Sequence, residues 1–383
     1  MWKSALDSKK YVGIVMSDLS KAFDCLPYNL LIEKFRHYKF ADNATALINS
    51  YLTERTQRVK VSGAVSEWAT LTKGVPQGSV VGPQCFNVYI NDLLLLLAEN
   101  DIMPCNYADD TSIYVYGNTK DEVIFKLRNA LRLLVLWFND NLMKVNVEKF
   151  QFLMLCPNRA DKGQSFSLQA ENIVLDSLEG AKLLGVYVDS DLSFDLHIKQ
   201  KCAKANAKLH ALKRLAGYLS EDCKLAVFRS FIIVHFLYCA ALFHFSSKYY
   251  RDKMEKIVYR GLKFVFNDYN ASYDDLLKKA NMDSLQLMRE KIVIIDIFKC
   301  INGFGPTYLK ELFTIFKEDS RRGPTLQQPR ARSVKYGSHS LRVLGPQMWN
   351  GLPKDTKLSK SINIFKSKLE KYEGQPCRCA QCK

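Results

Sequence analysis

Two aspartates, Asp109 and Asp110, stand side by side in the run IMPCNYADDTSIYVYG, between stretches whose composition otherwise suits the interior of a sheet. Adjacent carboxylates repel one another, and a half-buried pair is tolerated mainly where a cation sits between them. The pair therefore points to a divalent-metal site. A solvated β-turn, where Asp is common, is the other reading. In both, the chain reverses here and the two flanking runs form a hairpin.

The run YVGIVMSDLS is an apolar, β-rich stretch that delivers Asp18 at its carboxyl end. In CLPYNLLIEKFRHY, Leu30, Leu31, Phe35 and Tyr38 recur at helical spacing and Pro27 suits a first helical turn. Asp24 is assigned to capping that helix rather than to a metal. Residues 58–72 alternate around a Ser-Gly turn and read as a hairpin. Residues 74–99 run from a Gly/Pro loop into an apolar helix with Pro83 near its start. The strongest helix signal is TKDEVIFKLRNALRLLVLWFNDN. There Thr119 and Glu122 form a capping box, and Ile124, Leu127, Leu131, Leu134 and Phe138 fall three or four apart. Two strand-like runs follow, KFQFLML and LLGVYVD, so the chain to about residue 190 reads as an α+β domain.

Beyond that point the pattern is mainly helical. HIKQKCAKANAKLHALKRLAG places Ile198, Cys202, Ala205, Leu209 and Leu212 on one face and Lys201, Lys204 and Lys208 on another, with Gly217 as the expected terminator. SFIIVHFLYCAALFHFSS, 230–247, lacks charged carboxylate, Lys and Arg side chains. It is slightly short of a membrane span and contains His235 and His244, so a buried helix is expected. Residues 318–356, rich in Arg, Gly, Pro and Ser, read as a loop-dominated segment before a last helix near SINIFKSKLEKY.

If the strand ending in Asp18 pairs with the hairpin, three carboxylates converge. Such a set offers hard oxygen ligands to two Mg²⁺ ions, held about 3.5–4 Å apart in two-metal phosphoryl-transfer sites. The charge balance agrees with a polyanionic partner. Residues 1–190 carry 20 Lys and Arg against 21 Asp and Glu, residues 191–383 carry 35 against 18, and the net charge is +16. An acidic, chemistry-bearing half beside a basic half suits nucleic acid. A well-solvated surface is the blander reading. Membrane binding is disfavoured because the cations are dispersed rather than gathered beside an apolar span.

Five segments in order, SDLSKAFDCLPYNLLI, GVPQGSVVGPQCFNVYINDL, YADD, KVNVEKFQFLML and LLGVYVD, resemble the successive palm motifs of reverse transcriptases, in the forms of non-LTR, LINE-type retrotransposons. FIIVHFLYCAALFHF and GSHSLRVLGPQMWNGLP are similar to segments that follow the palm in such elements. The resemblance implies a polymerase palm, an antiparallel sheet with helices on one face, over 1–190. It further implies a helical thumb and connection region over 191–317 and a basic C-terminal segment over 318–383. The implied activity is RNA-directed DNA synthesis on an RNA template and DNA primer from deoxynucleoside triphosphates, with two Mg²⁺ ions that Mn²⁺ can replace.

Carried onto matching positions, Asp18, Asp109 and Asp110 are implied metal ligands, joined by the carbonyl of Leu19. Phe23 is the implied steric gate against a 2′-hydroxyl, with core packing as its other reading. Gln77 and Gly78, in the loop begun by Gly74 and Pro76, are implied in nucleotide binding, where small residues let backbone approach closely. Without the family, the same loop reads as a cap on the following helix. Tyr107 is implied at the primer end. Asn146 and Lys149 lie in a further motif, where a cation neutralises or protonates departing pyrophosphate; an exposed lysine beside a strand reads equally well. LLGVYVD, with Gly185, resembles the primer-grip hairpin. Lys201, Lys204 and Lys208 suit a thumb helix along duplex phosphates, or a solvated helix face.

Only 17 residues precede Asp18, where the family has a fingers region, so the expectation is a palm, thumb and C-terminal part with fingers missing and weak or absent activity. No nuclease-type cluster is found, which leaves an endonuclease to another part of the element or to a separate chain. The N-terminus lacks a secretory core, and the eleven cysteines, an odd number, read as reduced thiols of an intracellular protein of cytoplasm and nucleus. Cys377, Cys379 and Cys382 have ligand-like spacing without a fourth ligand nearby, so a frayed terminus is expected over a zinc site. The rival to a polymerase is a catalytically silent nucleic-acid-binding remnant using the basic half.

Overall fold

The computed structural model describes residues 1–18, 22–317, 321 and 323–374. It divides into two compact units, Ser4–Val186 with Trp2, and Tyr187–Lys383 with Met1 and Lys3.

The first unit opens with α1 (Trp2–Asp7), β1 (Tyr11–Asp18), α2 (Tyr28–His37) and α3 (Asp42–Leu52). Four two-residue strands follow, β2 (Thr56–Gln57), β3 (Lys60–Val61), β4 (Ala64–Val65) and β5 (Ala69–Thr70). Then come α4 (Gly82–Glu99), β6 (Met103–Tyr107), β7 (Asp110–Gly117), α5 (Lys120–Asp140) and β8 (Gln151–Leu155). The hairpins β9 (Ser167–Ala170)–β10 (Ile173–Asp176) and β11 (Gly180–Leu183)–β12 (Val186–Asp189) end the series.

The central sheet is antiparallel in the order β6-β7-β1-β8. β1 is apolar along most of its length because both its faces are covered: Val12, Ile14 and Val15 are completely buried. Gly13 lies beneath α5, where an added Cβ would come within 2.4 Å of Leu127 Cδ1 and 2.6 Å of Val123 Cγ1. The missing side chain is what lets helix and strand approach.

The start of α5 follows from its sequence. Thr119 Oγ1 accepts from the Glu122 N–H at 3.2 Å, and the Glu122 carboxylate accepts from the Asn118 N–H at 2.7 Å, so the reciprocal cap reaches one residue further back than in the usual box. Leu127, Leu131, Leu134 and Phe138 are buried as expected, joined by Val123 and Ala130, while Ile124 packs only partly against the core. Asp24 does not cap α2. Pro27 holds the N-cap position without a side-chain bond, and Asp24 instead accepts from Gln77 Nε2 at 2.8 Å.

The second unit is helical: α6 (Asp195–Arg214), α7 (Glu221–Phe231), α8 (Ala240–His244), α9 (Lys248–Val265), α10 (Tyr273–Lys279), α11 (Leu285–Ile301) and α12 (Thr307–Lys310). A small ribbon, β13 (Ile315–Lys317) with β14 (Thr325–Leu326), precedes α13 (Leu341–Asn350), α14 (Lys354–Lys357) and α15 (Ile362–Glu370). Three expectations are corrected here. The apolar run 230–247 is not one helix: α7 ends at Phe231, a 3-10 turn covers Ile233–Phe236, and Cys239 at φ +58° starts α8 in a new direction. Its side chains Ile232, Phe236 and Phe243 are nonetheless fully buried or nearly so, which is why it is apolar. Gly217 does not terminate α6, which stops at Arg214 and passes into a 3-10 turn, Ala216–Tyr218. The Gly- and Pro-rich segment 318–356 contains α13, whose Trp349 is completely buried despite Pro346 within the helix. Among the described residues, no helix is long and apolar enough to cross a membrane.

Candidate active site

Strand pairing brings the acidic positions together. β1 and β7 run antiparallel with Ser17 opposite Thr111 and Asp18 opposite Asp110. On the other side β7 pairs with β6, closing at Tyr107 opposite Asp110, so Ala108 and Asp109 form a two-residue loop. Ala108 takes φ +52° while Asp109 does not join it in the left-handed region. A primed turn of this kind matches the twist of the flanking strands. It normally favours glycine at the first loop position, so an alanine there stores backbone strain.

Side chains hold the turn. Ser17 Oγ donates to the Thr111 carbonyl at 2.9 Å, Thr111 Oγ1 donates to Asn106 Oδ1 at 2.6 Å, and Asn106 Nδ2 donates to the Ala108 carbonyl at 3.1 Å. Asp109 is half-buried, Asp110 is exposed, and Tyr107 is 69% exposed at the strand end. Partners in register in an antiparallel pair share a face, so positions 18 and 110 lie on one face of the sheet.

Beyond β1 on its far side is β8, whose last pair sets Met16 opposite Gln151. A 3-10 turn, Val147–Lys149, precedes β8 and lies beside β1. The ladder ends at the Met16–Gln151 pair, so strand register does not place Lys149, whereas β7 sets Asp110 opposite position 18. Lys149 is exposed.

The PQG loop is stitched to the segment after β1. The Val75 N–H donates to the Phe23 carbonyl and the Gly74 N–H to the Leu26 carbonyl, each at 2.8 Å. Gly74 has φ +86°, and a Cβ there would meet the Asp24 carbonyl oxygen at 2.7 Å, so only glycine fits. Phe23 is half-buried with its ring 4.8 Å from that of Phe86 on α4, so it packs on the core edge as well as lying beside the loop. Gly78, at φ +80°, faces open space. Ser79 Oγ accepts from the Gly82 N–H at 2.9 Å, so the loop also caps α4.

Four sequence-predicted residues lie outside the described residues, Leu19, Cys377, Cys379 and Cys382; of Asp18, the backbone is described and the side chain is not. Among the described residues, no group of three or more His, Cys, Asp and Glu is placed to hold a metal ion. Gly185 follows Leu184 in the β11–β12 turn, at φ +82° and +46°, the two positive angles of a type I′ loop. Lys201, Lys204 and Lys208 lie on α6, in the second unit. Lys201 is 5.9 Å from the Tyr238 ring centre and Lys208 6.0 Å from that of Phe231. Burial pushes His197 down to about 4, with Lys201 and Lys204 adding to the effect, and His235 is lowered by burial and the same lysine face. Sequence reasoning missed Ser17, Asn106 and Thr111 as supports of the turn. Their signal was three small polar residues beside the acid pair in otherwise apolar strands.

A sheet that presents carboxylates at a hairpin turn beside the end of its central strand, with a glycine loop stitched behind it, defines a polymerase-type palm. The family model for "Reverse transcriptase (RNA-dependent DNA polymerase)" matches residues 2–188, and that part of the chain is similar to the reverse transcriptase family. A probable RNA-directed DNA polymerase from transposon BS of Drosophila melanogaster is 27% identical over 274 residues, covering 68% of this chain and 30% of that protein. The RNA-directed DNA polymerase from mobile element jockey of Drosophila melanogaster is 26% identical, covering 65% of this chain and 28% of that protein. A Pol polyprotein from type-1 retrotransposable element R1 2 of Nasonia vitripennis is 27% identical, covering 46% and 44%. All three are proteins of mobile elements to which this chain is similar. It spans less than a third of the length of the first two. Apo telomerase from Candida tropicalis is a structural neighbour at TM-score 0.39 and 13% identity, covering 75% of this chain and 49% of that one.

Proposed function

We propose that the chain carries out RNA-directed DNA synthesis, extending a DNA primer with deoxynucleotides on an RNA template. The observation that carries this reading is the register that sets Asp18 opposite Asp110 at the closed end of the Tyr107–Asp110 hairpin. Carboxylate oxygens at three neighbouring positions fit hard divalent cations. Asp18, Asp109 and Asp110, with the carbonyl of Leu19, would hold two Mg²⁺ ions, or Mn²⁺ in their place. Bound there, the ions would lower the pKa of the primer 3′-hydroxyl and neutralise charge on the departing pyrophosphate.

The chain's own groups do the rest. Phe23, anchored on Phe86, presents a flat ring to the incoming sugar and leaves no room for a 2′-hydroxyl. Gln77, oriented by its bond to Asp24, and the open backbone at Gly78 receive the nucleotide. Tyr107, exposed at the hairpin end, supports the primer terminus, and Lys149 supplies positive charge or a proton to pyrophosphate. Gly185 turns a hairpin toward the primer strand, and Lys201, Lys204 and Lys208 hold duplex phosphates. The endonuclease that would provide a nicked DNA end lies outside this reading of the chain.

Primer extension on an RNA template in Mg²⁺ tests it. Asp109→Ala is expected to lower the rate at least about a hundredfold while leaving template binding unchanged. If wild type and Asp109→Ala both bind template equally and neither extends in Mg²⁺ or Mn²⁺, the chain is a binding protein and not a polymerase.

A further inference from the structure

Arg289 on α11 is completely buried, and the reading above gives it no role. Its Nη1 donates to Met254 Sδ at 3.5 Å, a weak acceptor. Its Nε and Nη2 have no partner among the described residues. Those two nitrogens form one edge of the guanidinium, the side-on pair of parallel N–H groups that grips two oxygens of a carboxylate or phosphate. The edge suited to an oxyanion is the edge that the protein's own groups leave alone.

No described carboxylate lies within ion-pair distance of Arg289. Glu255 acts on it from further away, but that carboxylate is committed to the start of α11. It accepts from the Gln286 N–H at 2.6 Å, the Leu285 N–H at 3.3 Å and the Tyr273 hydroxyl. A buried charge without a contacting counter-charge is strongly destabilising. The surroundings add positive charge rather than cancelling it. α8 and α9 both pack on α11, and α9 brings Arg251, which is also buried. From α8 comes His244, the last imidazole of the charge-free run 230–247. Burial, then the charges of Arg289 and Arg251, hold its ring neutral at pH 7, and its Nδ1 has no partner among the described residues.

We propose that the second unit encloses one small oxyanion of the phosphate class, held side-on by Nε and Nη2 of Arg289 and by Nδ1 of His244. A neutral imidazole that carries its proton on Nδ1 is a donor there. The complete burial of Arg289 decides the size of the ligand: a nucleic-acid strand or a partner's side chain could reach it only by parting the helices, whereas a free ion is enclosed as the unit folds. Two oxygens match the two parallel N–H groups, which a single chloride does not. The nearby charge of Arg251 favours a dianion over a small carboxylate. The ion's role is to complete the core of the helical unit, and the inference stands whether or not the chain extends primers.

The test refolds the full chain from denaturant in chloride at fixed ionic strength, with and without millimolar inorganic phosphate. Wild type is expected to melt about 3–5 °C higher for each tenfold rise in phosphate beyond its dissociation constant. Sulfate is expected to act in the same way. Arg289→Met is expected to lose this response and, without phosphate, to melt no lower than wild type, because it removes a buried charge that lacks a partner. Arg289→Lys keeps the charge without the two-pronged grip and is expected to need about tenfold more phosphate. Radiolabelled phosphate present during refolding is expected to stay with wild type through gel filtration in equimolar amount. A melting response in Arg289→Met equal to that of wild type would mean that phosphate acts on the surface only, and overturns the inference. Absence of both response and retained label in wild type overturns it too, leaving water to join the guanidinium to Glu255. Should Arg289→Met not fold under any condition, the label retained by wild type and by Arg289→Lys decides.

Discussion

The two units handle charge in opposite ways. In the first, strand register gathers carboxylates at one end of β1 and the β6–β7 turn, while the unit as a whole stays near neutrality. In the second, cations cover helix surfaces such as the lysine face of α6, while inside it burial holds histidines in their neutral form and Arg251, Arg289 and Glu290 lie buried. Burial, with Arg289 and Arg251 nearby, pushes His244 down to about 3, and burial with Lys201 and Lys204 pushes His197 to about 4. Arg289, completely buried on α11, is itself lowered to about 10 by desolvation, against the opposing pull of Glu255. A sheet can focus charge at a point without any net excess, because pairing fixes which residues meet. A helical unit presenting a phosphate-binding surface needs the excess itself.

The contrast can be broken most forcefully through packing. Gly13 in β1 and Gly261 in α9 are matched close approaches, the second with Phe228 Cε2 only 2.2 Å from where a Cβ would lie. Gly13→Val and Gly261→Val are each expected to cost about 2–3 kcal/mol, as overpacking of a filled core does. Hydrogen exchange is expected to show lost protection in β1, β7 and α5 for the first and in α7 and α9 for the second. Equal losses across both units in either variant would show that the two fold as one cooperative body.

Acid sharpens the comparison by a smaller step. His197 and His244 have folded values of about 4 and about 3 against 6.5 for a free histidine. Between those limits the unfolded chain binds the extra protons, so stability falls as pH drops below 6.5, by up to about 1.4 kcal/mol per pH unit for each histidine. The first unit contains only His37, which is exposed. Urea midpoints followed by exchange in α6 and α8 are therefore expected to fall more between pH 7 and pH 5 than those in β1, and a uniform fall would count against this account. The smallest effect is on the surface. Replacing Lys201, Lys204 and Lys208 together by Ala is expected to lessen the salt slope of RNA·DNA duplex binding by about 2–3, with little change in stability.

Much of the first unit was legible because its elements are specified locally. The Thr119 cap, the stripe through Leu127 and Phe138, and the acid pair between two β-runs each name their own conformation. The pairing of Asp18 with Asp110 was legible only as a condition, since register depends on which strands meet. The polar network under the turn escaped notice because Ser17, Asn106 and Thr111 acquire their meaning only across strands. Asp24 shows the same limit: a residue suited to capping was taken up by Gln77, more than fifty positions away, through the stitched glycine loop. In the second unit, the run through Phe236 and Phe243 correctly signalled burial but not shape. Hydrophobicity without periodicity does not say where a helix will break, and Cys239 breaks it with a left-handed backbone that glycine usually supplies.

Pro104 sits within β6, the outermost strand of the central sheet, opposite Ile113. Lacking an amide hydrogen, it leaves a gap in the ladder that any further strand would need to join, and the opposite margin at β8 is already overlaid, with Ser177 bridged to Phe152. A framework bounded in this way resists sticking to copies of itself, so the acidic hairpin can stand at the sheet's rim without inviting fibrous self-association.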